Sequence, residues 1–156
     1  GFVDIDPSLL GYTTRHQVAE RFKHMIDVYG TSPHAKYDLP GELSKIEAIR
    51  DYRYHITIEQ MWNISGSEKI NDAITCGSIP IYWGDESNPV LDYYNKDGII
   101  MFKTLDELDY ILNEVVSEED YESRKPAIKD NFERACKLNW DYWLLDHLNL
   151  KKYLED

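Results

Sequence analysis

Glu68 and Lys69 stand side by side at the head of a helical stretch that runs to Cys76 and is closed by Gly77. A carboxylate and an ammonium at that place suggest anion chemistry. The first N–H groups of a helix have no partner inside it, and the helix dipole adds positive potential there. Ala73, Ile74 and Cys76 form the less polar side of the helix. Ile79, Pro80, Ile81, Tyr82 and Trp83 then make a short apolar strand that stops at Gly84. Helix, glycine, buried strand, glycine is the rhythm of a nucleotide-binding α/β layer.

The elements that must hold this pair can be read on both sides of it. Tyr54, Ile56 and Ile58 alternate with His55 and Thr57, which predicts a strand pointing at Glu59. Phe2 to Asp6 reads as another short strand, ending at Pro7. A helix is expected over 15–28, with Val18, Phe22, Met25 and Ile26 on one side and Thr13 or Thr14 as its cap. Gly30 to Gly41 reads as a loop, and 43–51 as a helix. Downstream, Asp85 to Pro89 is turn-rich, and Ile99 to Phe102 is an apolar strand. Thr104 and Glu107 form a capping box for a helix to about Val116. Acids after Ser117 favour a further helix start, with helices expected over 119–137 and 140–154. Strands alternating with helices imply a Rossmann-like, mostly parallel sheet covered on both faces.

Composition narrows the class. A chain of 156 residues, 42% hydrophobic and 13% aromatic, is long enough for one domain with a substantial core. No apolar run reaches the roughly 20 residues of a membrane span. A net charge of −12, from 29 acids against 17 bases, argues against a nucleic-acid partner. Cys76 and Cys136 lack CxxC spacing, so neither a zinc site nor a disulfide framework is expected. A reducing, cytoplasmic location is the expectation, with peripheral attachment to a membrane as its variant. Gly1 in place of Met reads as a tag scar or as a cut from a longer protein.

The block from Arg53 to Gly84 resembles the donor-binding motif of the α1,3-fucosyltransferases, glycosyltransferase family 10. That family has a Glu-Asn strand end, a short loop, Glu-Lys, a helix and a strand of Ile-Pro-Ile type. Glu68-Lys69-Ile70, Asp72-Ala73 and the run from Ile79 to Gly84 resemble its bacterial members most. Weaker likeness extends back to Arg15 and forward to about Leu150. The resemblance implies one half of a GT-B glycosyltransferase: residues 1–156 as a single donor-binding domain, using GDP-fucose and a glycan acceptor. It implies inverting transfer with no metal or other cofactor, and a general base in an N-terminal domain missing from this chain.

Site residues follow position by position. Glu68 suits the ribose diol, while Lys69 and the helix N-terminus suit the diphosphate. Their plain alternative is a solvated pair at a helix start. Arg15 matches the family's phosphate-contacting Arg, with Arg21 as its rival in another register. Glu59-Gln60 occupies the Glu-Asn strand end, Gln60 adding a methylene. Ser65 stands where many relatives have Tyr. Ser65, Gly66 and Ser67 are small enough for backbone N–H groups to approach a phosphate.

Other features are given structural readings. Asp4-Ile5-Asp6 mimics the DxD metal motif of a different transferase class and is read as a strand-end turn. The five histidines form no ligand-like cluster. Tyr82 and Trp83 are assigned to the core, and Trp140, Tyr142 and Trp143 to anchoring of the last helix or to covering another domain. Two alternatives to a fucosyltransferase donor domain are a transferase using another nucleotide sugar and a non-catalytic nucleotide-sugar-binding or interaction module.

Overall fold

The computed structural model describes residues 10–30, 44–62 and 68–138. The expected strand at Phe2–Asp6 with its Asp4 and Asp6, most of the expected 30–41 loop, Ser65, Ser67 and the 140–154 helix lie outside the described residues. The chain runs α1 (Leu10–Phe22), α2 (Lys45–Ile49), β1 (Tyr54–Ile58), α3 (Glu68–Thr75), β2 (Ile79–Trp83), α4 (Val90–Tyr93), β3 (Ile100–Phe102), α5 (Leu105–Tyr110) and α6 (Glu118–Lys137). A π-helical turn, Ile111–Val115, extends α5. The fold is α/β, as the alternation predicts.

The strands form an open, all-parallel sheet in the order β1-β2-β3. The central strand carries Pro80, which has no N–H to give a ladder. The ladder tolerates it for a geometric reason. Ile79 N–H donates to the Arg53 carbonyl on the β1 side, so alternation turns the Pro80 nitrogen toward β3. Pairing with β3 begins only at Ile81 opposite Ile100, so no rung is lost.

Alternation along the strands builds two cores. Ile58, Ile79, Ile81, Trp83, Ile100 and Phe102 pack on one face against Val18 and Phe22 of α1 and Leu108 of α5. Tyr82 points to the other face and packs with Ile70 and Ile74 of α3, Leu91 of α4 and Ala135 of α6. Burying side chains on both faces is what makes β2 read as a continuous apolar run.

Local signals hold well where a cap is present. Thr104 accepts from Glu107 N–H while Glu107 reaches back, so the capping box opens α5 as expected. Ser44 and Glu47 make a second box at α2, and Ser117 caps α6. The first helix differs from expectation: it starts at Leu10 and ends at Phe22, against 15–28. Thr14 is not its cap; the hydroxyl bonds back to the Leu10 carbonyl at 2.8 Å from inside the helix. A tertiary contact holds this part of the helix on β1, since Gly11 N–H donates to the Gln60 carbonyl at 2.9 Å. A Cβ at Gly11 would run into the backbone of Glu59 and Gln60. After Phe22 the chain turns, Met25 and Ile26 N–H both returning to the Phe22 carbonyl.

Candidate functional site at the carboxyl end of β1

In open parallel sheets, ligands gather in the crevice outside the carboxyl ends of the strands. Arg15, Glu59, Gln60, Glu68 and Lys69 all belong to that end of β1. They reach it from different sides. Arg15, on α1, donates from Nη2 to the Ile58 carbonyl at 2.8 Å and lies over the Tyr12 ring at 5.1 Å. Its guanidinium therefore closes off the last carbonyl of β1. Arg21, the alternative in the other register, is elsewhere, paired with Asp106 of α5 at 2.8 Å.

Glu59 leaves the opposite face of β1, beside Tyr82. It is 0% exposed. The Tyr82 hydroxyl donates to Glu59 Oε1 at 3.0 Å, and Lys69 Nζ stands 4.0 Å from Oε2. A carboxylate this deep needs such partners, since removing a charge from water costs several kcal/mol without them. Burial, then the Glu59 charge, push the Tyr82 phenol well above its ordinary range. The Gln60 side chain is exposed; its backbone carbonyl receives Gly11.

Glu68 and Lys69 open α3 as the sequence predicts. Glu68 lies between two ammonium groups, Lys45 at 3.4 Å and Lys69 at 3.7 Å. Burial acts to raise the Glu68 carboxyl, but its own backbone N–H, Lys69 and Lys45 together hold it below the usual carboxylate range. Lys45 is fixed in turn by Asp72 at 2.8 Å. Hydrogen bonding to Asp72, opposed by burial, holds its ammonium above the usual lysine value. An ionised Glu68 and a charged pair of lysines thus sit at the exposed mouth of a helix N-terminus. The arrangement can accept hydrogen bonds from a diol and donate them to an anion.

Two contributors have no local signature in the sequence. Lys45 comes from a different helix. Tyr82, read as core, is indeed buried, but its hydroxyl belongs to a polar series rather than to the apolar packing. Gly84 gives that ring its room: a Cβ there would meet the Tyr82 ring and hydroxyl at 2.7–2.9 Å. Trp83 is core as expected, edge-on to Trp62 with ring centres 4.9 Å apart.

On the α1 side, a cleft of about 740 Å³ runs along β1, lined among others by Tyr12, Arg15, His16, Tyr29, Tyr52 and Ile56. Arg15 is the one expected site residue among those lining it. Among the described residues no group of three or more His, Cys, Asp or Glu side chains is arranged to hold a metal ion. Among them, too, no helix is long and apolar enough to cross a membrane. No family model matches the chain, and neither curated proteins nor solved structures yield a match to it.

Proposed function

We propose that this chain is the donor-binding domain of a glycosyltransferase resembling the α1,3-fucosyltransferases, with GDP-fucose as the donor. The observation that carries the reading is the opening of α3. There Glu68 and Lys69 stand at the first residues of α3, 3.7 Å apart, with Lys69 also beside Glu59 at the carboxyl end of a parallel strand. In this reading Glu68 accepts from the ribose diol, and Lys69 with the helix N-terminus holds the diphosphate. The same donors stabilise the charge that grows on the diphosphate as the glycosidic bond breaks.

Arg15 supplies a further cation from α1. Glu59 acts from behind Lys69, since a fully buried carboxylate meets no substrate. That burial also removes it as a general base for an acceptor hydroxyl, which must lie within hydrogen-bond reach of the base. The base and the acceptor glycan therefore belong to a second, acceptor-binding domain facing this one across a GT-B cleft. Without that domain the chain binds donor and transfers little or nothing.

Calorimetry with GDP, UDP and CMP tests the reading. Tight GDP binding with weak UDP and CMP supports it. A preference for UDP or CMP points to another nucleotide sugar, and no nucleotide binding points to an interaction module. A chelator is expected to leave GDP affinity unchanged. A saturable Mn²⁺ requirement that disappears in Asp4→Ala and Asp6→Ala would move the donor site to the other motif.

A further inference from the structure

Behind Lys69 lies a directed series of buried hydrogen bonds. Asn88 is 3% exposed and Tyr82 0%. Val90 N–H donates to Asn88 Oδ1 at 3.1 Å, which fixes the orientation of the amide. Asn88 Nδ2 then donates to the Tyr82 hydroxyl oxygen at 2.9 Å. With an acceptor role imposed on that oxygen, the phenolic proton is directed to Glu59 Oε1, 3.0 Å away. The other carboxylate oxygen, Oε2, is the one facing Lys69 Nζ. Bonds in such a series polarise one another, and all have low-dielectric surroundings. The phenol keeps its proton, because burial and the adjacent carboxylate both oppose ionisation. Gly84 leaves room for the ring to lie where this requires.

We infer that Tyr82 and Asn88 are positioning residues for Lys69: they fix the buried Glu59 carboxylate so that its second oxygen holds the Lys69 ammonium at the opening of α3. The positional part stands on this geometry; the consequence for a diphosphate rests on the donor-site reading above. Neither residue touches the ligand. A loop residue after β2 and a phenol inside the sheet thereby set the cation at a site formed by β1 and α3.

The test is trace acetylation of the nucleotide-free full chain with acetic anhydride, read by mass spectrometry. Lys96 and Lys103, paired on the surface with Asp92 and Glu86, serve as internal references. Tyr82→Phe is expected to raise Lys69 labelling about two- to tenfold, the change that loss of one hydrogen bond to a charged or neutral group brings. Glu59→Gln keeps the shape and should do at least as much, so the test survives if the first variant folds poorly. Lys69 labelling equal to the parent's in both folded variants overturns the inference. GDP titrations separate it from the functional reading. Tyr82→Phe should weaken GDP by a similar factor, and by nothing further in a Lys69→Ala background. If the parent binds no GDP, the donor reading falls while the labelling still decides the positioning. If GDP binds and labelling is unmoved, the positioning falls and the donor reading stands.

Discussion

The two ends of the sheet use the same side-chain types to opposite ends. At the amino end, the first turns of α6 fasten all three strands. The Tyr54 hydroxyl at the start of β1 bonds to Asp120 at 2.8 Å, Tyr121 reaches the Gly77 carbonyl just before β2, and Arg124 reaches the Asp97 carbonyl just before β3. Arg53 pairs with Glu118 at 2.9 Å and lies over the Tyr121 ring. Burial, then hydrogen bonding to Asp120, push the Tyr54 phenol up to about 12. At the carboxyl end, Lys69 stands 3.7 Å from Glu68 and 4.0 Å from Glu59, and Glu68 lies between Lys45 and Lys69. The amino end is a clasp on the strand starts; the carboxyl end gathers lysines and carboxylates around the opening of α3. Clusters of Arg, Tyr and carboxylates do not by themselves mark a site. Position in the sheet separates the clasp from the candidate.

The sharpest way to break the carboxyl end is at Gly11. Its missing Cβ is what lets α1 lie on the backbone of Glu59 and Gln60. Backbone cannot rotate away as a side chain can, so Gly11→Ala should cost about 3 kcal/mol or more. For a chain of this size that corresponds to a fall in Tm of roughly 6–12 °C by calorimetry. An unchanged Tm would mean that α1 does not seat on β1 this closely.

Charge removal distinguishes the ends functionally. Glu68→Ala and Lys69→Ala should each weaken GDP about ten- to hundredfold, the loss of a charge-assisted contact worth roughly 1.5–3 kcal/mol. Arg53→Ala and Glu118→Gln, taken from the clasp, should leave GDP affinity as it was. Equal losses at both ends would erase the contrast. The clasp should instead register in stability: Tyr121→Phe deletes the bond to the Gly77 carbonyl and should cost about 1 kcal/mol in a denaturant titration. GDP affinity of the folded variant should match the parent's.

Legibility in the sequence follows the range of the interaction. The α3 opening, the β2 run and the capping box at Thr104 were readable because each depends on neighbours a few residues apart. That α1 already includes Thr13 and Thr14 was not, because its seat on the backbone of Gln60, far along the chain, outweighs their local preference for a cap. Lys45 at the candidate site was missed for the same reason, being 23 residues from Glu68. Tyr82 was half legible: its burial followed from the apolar run, but the role of its hydroxyl depended on Glu59 and Asn88 lying beside it. Arg15 was placed by resemblance, and its bond to the Ile58 carbonyl is a tertiary feature that no spacing encodes.

The smallest expected effect belongs to neither end but to the middle of β1, and it measures how dry the α3 face is. His55 pairs with Pro80 across the ladder, and its Nδ1 lies 3.0 Å from the Thr57 hydroxyl. Burial lowers its pKa from the ordinary 6.5, with the charge of Asp72 opposing the shift. The unfolded chain therefore takes up a proton at His55 as the pH falls through about 6.5, while the folded chain resists it. Stability is full above that pH and declines below it, until the folded value is reached. The slope cannot exceed about 1.4 kcal/mol per pH unit for one group. Between pH 7.5 and 5.5 the loss is at most about 1.4 kcal/mol, or roughly 3–6 °C in Tm. Other groups also titrate across this range, so the quantity to read is a difference. His55→Gln should lose less Tm than the parent on the same descent, the gap opening only below about pH 6.5. Parallel curves would show that water reaches His55 in the folded chain.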